Sequence, residues 1–445
     1  MSPRSKLIIT SIVAGVWPVV QSPVSALIAY AILAVSTGVF LGIGRLIIHS
    51  SHPIRCLLVS LLVVGSIGAG LMWLSIASPV GDAIGIRHGC FMAFSALTLT
   101  GFHARGLDDR VTTFGIVVLT ALMQIGLLTC VSVSIAWTMA IARSARSKSG
   151  VTRTTMRFRR YMTHYAYQAV KVLVIIELIG MALLSLSASD GDSPCASLFL
   201  ALSAISHTGF HFRAGAGMAF NWSTYIILIP LMFAGMAAIV ASGRSHVWLR
   251  QSVRIWIIGT IALGLSAIGF VNLSSSTHAG GIAYSWSGTN VIGSFITLTR
   301  HSGFMTTSIV NVDDSGLVVM MVGMITGGFP GSPIGGIGWF WLLVLFARGW
   351  DAKPAQLAMR IIVMYAIIIT GGLLFMCWLE PYPPIRLMFE SVSAACNSGA
   401  SLDITADLTP FSQWMMIALM FAGRVGPWIL MGVHFRNGLT EQSEQ

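Results

Sequence analysis

Ser95-Ala96-Leu97-Thr98-Leu99-Thr100-Gly101-Phe102 closes a short amphipathic segment with a small hydroxyl residue and a glycine. The ending recurs as Thr208-Gly209-Phe210, Ser302-Gly303-Phe304 and Ser398-Gly399-Ala400. The four glycines are 108, 94 and 96 residues apart. That period is far longer than a solenoid repeat, so each unit is a whole module and not one turn of an array. Each ending also lies between two long apolar runs. Four modules, each incomplete alone, imply a shared pseudo-fourfold axis with one pore along it.

Composition sets the solvent. Of 445 residues, 55% are hydrophobic and 9% charged, and the mean hydropathy is +0.81, values that exclude a water-soluble domain of this size. Lipid cannot satisfy backbone N–H and C=O groups, and the apolar runs are unbroken and not alternating, so the spans are expected to be helices and not a barrel. A span needs about 20 apolar residues. On that ruler the expected helices are Leu7 to Val20, Val24 to Ile48, Arg55 to Ala77, Thr112 to Ala142, Tyr167 to Ser187, Trp222 to Ser242, Arg254 to Leu273, Ser315 to Phe346, Arg360 to Leu379 and Phe411 to Phe435. Eight of them bracket the glycine endings. Between each pair lies a segment such as Gly89 to Leu99 or Pro384 to Cys396, too short to cross but apolar enough to enter the bilayer. The expected fold is an all-α polytopic membrane protein of four helix, pore-helix, helix repeats, with an N-terminal helical hairpin.

Charge gives an orientation. Arg143, Arg146, Lys148, Arg153, Arg157, Arg159 and Arg160 form a basic stretch without an acid, and Arg244, Arg250, Arg254, Arg348, Lys353, Arg360 and Arg436 fall on the same side. By the positive-inside rule that side is cytoplasmic, and the glycine loops open outward. The net charge of +11 is then a topology signal. Its basic residues are spread over several loops without aromatic interleaving, so no nucleic-acid role is expected. Arg4 and Lys6 before an apolar run would also suit a signal peptide, but the chain stays apolar through Ile48, which favours the hairpin. The six cysteines have no paired spacing and read as small apolar fillers, with a Cys90 to Cys195 bridge as the one alternative.

A cation entering the membrane must exchange water for oxygen ligands, and the carbonyls of an extended loop supply them without fixed charge. Glycine permits the backbone angles that turn successive carbonyls toward an axis. A short helix running inward presents the negative end of its dipole to the same point. The loops could also be mere turns ending interfacial helices. Gly327-Gly328-Phe329-Pro330-Gly331-Ser332-Pro333-Ile334-Gly335-Gly336-Ile337-Gly338 holds six glycines and two prolines, so it breaks the third module's second helix. Exposed backbone at that depth is tolerable where it lines a cavity, although glycines also serve close helix packing. Arg424 within a span is expected to face a water-filled path or to bind the carbonyls of a helix C-terminus. Glu390 reads as a pore-helix or rim carboxylate.

These motifs resemble the Trk/Ktr/HKT superfamily of potassium transporters. The match is carried by Phe389-Glu390-Ser391-Val392-Ser393-Ala394, Asn397-Ser398-Gly399-Ala400-Ser401-Leu402, Phe421-Ala422-Gly423-Arg424-Val425-Gly426-Pro427, Gln124-Ile125-Gly126, Arg300-His301-Ser302-Gly303-Phe304 and the glycine-rich break. It covers residues 55 to 435. The resemblance implies a potassium-selective filter at Thr100, Gly101, Thr208, Gly209, Ser302, Gly303, Ser398 and Gly399. It implies an intramembrane gate at Gly327, Gly328, Gly331, Ser332, Gly335 and Gly336 with Arg424 beside it. It also implies a homodimer in the lipid of the inner membrane, regulated by cytoplasmic nucleotide-binding subunits of RCK type, and K+ as the bound ion, with no other metal and no organic cofactor. The repeats then occupy residues 51–145, 160–245, 250–350 (with the gating loop) and 356–436, after a hairpin at 1–50.

Two features depart from the family. Gly338 stands where a lysine is usual, which removes that charge from any gating account. His103 and His211 each follow a Thr-Gly-Phe, and His207 and His301 sit two residues before filter glycines, so pH-sensitive uptake is one expectation. The same four imidazoles could ligate a metal in a membrane-embedded metalloenzyme, but no carboxylate or nucleophile accompanies them inside a span, and no enzyme is expected. The other rival is a proton- or sodium-coupled cation carrier, against which stands the lack of a chain of acids through the spans.

Overall fold

The computed structural model describes residues 31–43, 53–74, 77, 85–102, 111–144, 168, 170–186, 194–210, 227–235, 304, 314–328, 332–338, 341–342, 344–345 and 353–443. Among these there is no strand. The helices are α1 (Ala31–Ile43), α2 (Pro53–Trp73), α3 (Ile86–Leu97), α4 (Thr113–Ser144), α5 (170–186), α6 (Pro194–Ile205), α7 (227–235), α8 (Asp314–Thr326), α9 (Lys353–Leu379), α10 (Pro384–Ala395) and α11 (Pro410–Ser443). The expected helices at 7–20 and 254–273 lie outside the described residues.

Length sorts these helices into two kinds. Arg55–Trp73, Thr113–Cys130, Ala355–Leu379 and Pro410–Val433 are long and apolar enough to cross a bilayer. In contrast α3, α6 and α10 have 12 residues each. At 1.5 Å per residue they reach about 18 Å, little more than half of a hydrocarbon core of about 30 Å. They are the short segments expected between paired spans.

Burial separates an outer from an inner helix in each complete unit. Only 28% of the span in α2 and 22% of that in α9 is buried, against 72% for α4 and 50% for α11. With lipid as apolar as leucine, the poorly buried helices can face it, while the buried ones pack inward on the half-helices. Helix contacts give the order of units. α8 packs on α10, α11 on α3 and α2, and α4 on α6, so the third unit neighbours the fourth, the fourth the first, and the first the second.

Helix ends differ from the sequence reading where tertiary packing outweighs local signals. α9 starts at Lys353 and not at Arg360, with Pro354 in its first turn, where its missing N–H costs nothing. α11 runs on to Ser443, past the expected end at Phe435. α8 stops at Thr326, because Gly327 turns to φ +43 and the chain stays non-helical through the described residues up to Gly338.

A candidate ion pathway

Three half-helices end in the same way. Thr100, Thr208 and Ser398 donate their backbone N–H to Ser95, Ser203 and Ser393, five residues back, and Leu99, His207 and Asn397 donate to Ala96, Ala204 and Ala394, three back. Leu99, His207 and Asn397 have φ of 58°, 59° and 51°. This is the Schellman cap, whose left-handed residue is usually glycine. Two residues on, Gly101, Gly209 and Gly399 turn left-handed again, at φ 84°, 86° and 74°. The aromatic that follows packs back on its own half-helix: Phe102 on Phe91 at 6.3 Å and Phe210 on Phe199 at 6.2 Å. In the fourth unit Phe389 keeps its half of that pair and Ala400 replaces the other.

Glycines in the inner helices hold the half-helices at contact distance. A Cβ on Gly126, Gly235 or Gly423 would collide with the carbonyl oxygen of Leu97, Ile205 or Ala395, each the last residue of its half-helix. Four residues before each of them, Leu122, Leu231 and Leu419 press on Gly68, Gly180 and Gly372 of the outer helix. Outer helix, inner helix and half-helix are therefore locked in one register three times.

Neighbouring loops touch through backbone. A Cβ on Gly101 would strike the Thr208 carbonyl oxygen and lie 2.7 Å from its carbon; one on Gly399 would strike that of Thr100, 2.9 Å from its carbon. Glycine at these two positions therefore serves twice, for the left-handed φ and for the approach of the next loop. Below the first loop lies Arg424, only 6% exposed. Its Nε donates to the Thr98 carbonyl, the C-cap of α3, at 2.7 Å, and its Nη1 donates to the Ser332 carbonyl in the glycine-rich break at 3.4 Å and faces Cys130 Sγ at 3.8 Å. Arg424 thus binds the C-terminus of α3, as one of the two expectations has it, and the break at the same time. A cavity beside it is lined by Ser332, Gly335, Gly336, Tyr365 and Trp428, and the Tyr365 hydroxyl donates to the Gly423 carbonyl at 3.0 Å.

Comparison with known proteins accords with this geometry. No family model matches the chain. It is 24% identical over 410 residues to Ktr system potassium uptake protein B of Vibrio alginolyticus, covering 84% of this chain and 90% of that protein. It is 25% identical over 375 residues to Ktr system potassium uptake protein D of Bacillus subtilis, covering 76% and 83%. The crystal structure of the potassium transporter TrkH from Vibrio parahaemolyticus superposes with a TM-score of 0.66 at 17% identity, over 84% of this chain and 83% of that one. The chain has the Trk/Ktr fold. It is a multi-pass membrane protein.

Within that Trk/Ktr fold, Glu390 is fully buried. It accepts hydrogen bonds from Ser401 Oγ at 2.9 Å, the Leu402 N–H at 2.8 Å and Thr405 Oγ1 at 3.0 Å, so it fastens the chain leaving the fourth loop to α10. His207 is also buried, its Nε2 2.9 Å from the Met232 carbonyl of α7, which places it in the cap and not at an open mouth. Ser302, Gly303, Gly331, His103, His211 and His301 lie outside the described residues. No group of three possible metal ligands occurs among the described ones. Cys90 is a free thiol and forms no bridge.

Sequence reading missed several participants. Asn397 donates from Nδ2 to Thr100 Oγ1 at 2.9 Å and to the Met420 carbonyl at 2.8 Å, joining the fourth loop to the first and to α11. Glu177, in α5, is fully buried and accepts from Gln124 Nε2 of α4 at 3.1 Å. An acid within an apolar run was visible in the sequence, but nothing there paired it with Gln124. Gly126, Gly235 and Gly423 stand 25, 26 and 24 residues after the left-handed glycines of their loops, a spacing that could have marked them.

Proposed function

We propose that this chain is the channel-like pore subunit of a Trk/Ktr-type potassium uptake system in the cytoplasmic membrane. In this reading the carbonyls of Thr100, Gly101, Thr208, Gly209, Ser302, Gly303, Ser398 and Gly399 replace the water of a passing K+. The C-terminal ends of the half-helices add their negative dipole ends at the same point. The break with Gly327, Gly328, Gly331, Ser332, Gly335 and Gly336 is the gate, which Arg424 holds shut through the Ser332 carbonyl. The filter loops face outward, opposite the basic loops. The chain pairs as a homodimer, and cytoplasmic nucleotide-binding subunits act on the gate, in line with relatives named as parts of a Ktr system.

The observation that carries this reading is the identical double left-handed turn in three loops whose backbones touch. The test is growth rescue of a potassium-uptake-deficient bacterium at low external potassium. The parent is expected to rescue, and single Gly-to-Ser changes at Gly101, Gly209, Gly303 and Gly399 are each expected to abolish rescue or shift uptake toward sodium. Full rescue by all four would overturn the filter assignment.

A second reading, a proton- or sodium-coupled carrier, draws on Glu177, since a buried acid in a span marks an ion path by default. It requires concentrative uptake that stops when the proton or sodium gradient is collapsed at constant membrane potential, which the channel reading does not.

A further inference from the structure

The glycine-rich break does not simply lie beneath the filter; it is seated against it. A Cβ on Gly335 would collide with the Cys396 carbonyl oxygen, come within 2.8 Å of its carbon, and lie 3.0 Å from Asn397 Oδ1. The break therefore rests on the root of the fourth loop with no space between them. Asn397 is 2% exposed, and its Oδ1 has no hydrogen-bond partner among the described residues, so the face it turns to Gly335 is held by shape alone.

The other end of that carboxamide reaches the first loop. Nδ2 donates to Thr100 Oγ1, Thr100 Oγ1 lies 2.7 Å from Thr98 Oγ1, and Thr98 Oγ1 donates to the Phe94 carbonyl at 2.7 Å. With Thr98 donating to Phe94, the Thr100 hydroxyl must donate to Thr98 and accept from Asn397. Its one proton and one of its two lone pairs are thus assigned. Arg424 supplies a parallel link, from the Ser332 carbonyl in the break to the Thr98 carbonyl. The break is consequently connected to one filter loop by two routes, and both end at Thr98 and Thr100.

We propose that Asn397 is a positioning residue that couples the glycine-rich break to Thr100, so that the position of the break sets which cation the filter accepts. The proposal rests on the filter and gate reading given above and adds a regulation to it. While Gly335 keeps its seat, the Asn397 side chain is held at Oδ1 and with it the geometry that fixes Thr100. The seated Gly335 and the potassium-fitting ring then favour each other, whichever way Ser332 and Arg424 lie. Coupling is reciprocal, so the ion in the filter also biases the break.

The other loops supply the test. Leu99 and His207 occupy the same left-handed cap position as Asn397, so the backbone accepts either side chain there. His207 reaches the Met232 carbonyl just as Asn397 reaches that of Met420, and Met232 and Met420 each precede the contact glycine of their helix by three residues. Asn397→His therefore keeps the tie to α11 and loses the one to Thr100, while Asn397→Leu loses both. The full chain in proteoliposomes would be assayed for potassium and sodium uptake, with melting temperature recorded for each variant. Both variants are expected to lower the potassium-to-sodium ratio about tenfold, the scale of one lost hydrogen bond. Gly335→Ala is expected to lower it as well, and to add nothing to Asn397→Leu. A ratio within twofold of the parent in Asn397→His, or a Gly335→Ala variant that changes total flux at a constant ratio, would overturn the proposal. A parent that passes sodium as readily as potassium would instead refute the filter reading itself.

Discussion

Gly423 offers the sharpest test of the packing. Its Cα faces the last residue of α10 so closely that an alanine methyl would collide with the Ala395 carbonyl oxygen and lie 2.7 Å from the carbonyl carbon. Carbons rest about 3.5 to 4.0 Å apart, so α11 must move off α10 by about 1 Å. Overpacking of this kind costs about 1–3 kcal/mol, from which the better helix propensity of alanine returns at most about 1 kcal/mol. Two other glycines serve as controls. A methyl at Gly426 first meets the Met364 thioether, at 2.5 Å, and that flexible side chain can swing away. A methyl at Gly371 meets nothing within 4 Å. In detergent-purified protein the expected order of melting temperature is Gly371→Ala at or above the parent, Gly426→Ala slightly below, and Gly423→Ala lowest. Potassium uptake is expected to fall most in Gly423→Ala, because the displaced carbonyl belongs to the half-helix that carries the fourth loop. A Gly423→Ala protein that melts and transports like the parent would show that α10 and α11 are not in contact at this glycine.

Two further outcomes follow from polar groups. Arg424→Gln keeps some reach but removes the charge from the Thr98 and Ser332 carbonyls, each bond to a charged donor being worth about 1.5–3 kcal/mol; potassium flux through the chain in liposomes, without any regulatory subunit, is expected to rise. Glu390→Ala strands the buried Leu402 N–H and leaves the Ser401 and Thr405 hydroxyls only their bond to each other, and is expected to destabilise the protein by about 1–3 kcal/mol, with Glu390→Gln milder; thermal melting checks both.

The features legible in the sequence were those with a single chemical solution. Gly101, Gly209 and Gly399 could be read because a left-handed turn favours glycine, and at Gly101 and Gly399 another backbone in contact leaves no room for a side chain. The half-helices could be read because 12 residues cannot span lipid, and the break because its glycines and prolines cannot sustain a helix. What stayed hidden had several solutions or depended on a distant partner. The cap residues are leucine, histidine and asparagine, three side chains without a common signal, so neither their shared left-handed φ nor the role of Asn397 could be foreseen. Gly126, Gly235 and Gly423 are three among 46 glycines, and only the half-helix opposite explains them. Glu177 is a single acid in an apolar run, and its partner Gln124 stands 53 residues away in the sequence. For His207 the sequence gives proximity to a glycine but not direction; its ring turns back toward Met232.

That the same turn holds leucine, histidine and asparagine has a wider consequence. A ring assembled from copies of one subunit must repeat each side chain at every station, so a change helpful at one place is imposed on all. A ring folded from successive stretches of one polypeptide escapes this rule. Each station can mutate by itself while the shared main-chain path keeps the circle closed, and tasks such as sensing, anchoring or simple filling can be divided among stations with the same geometry.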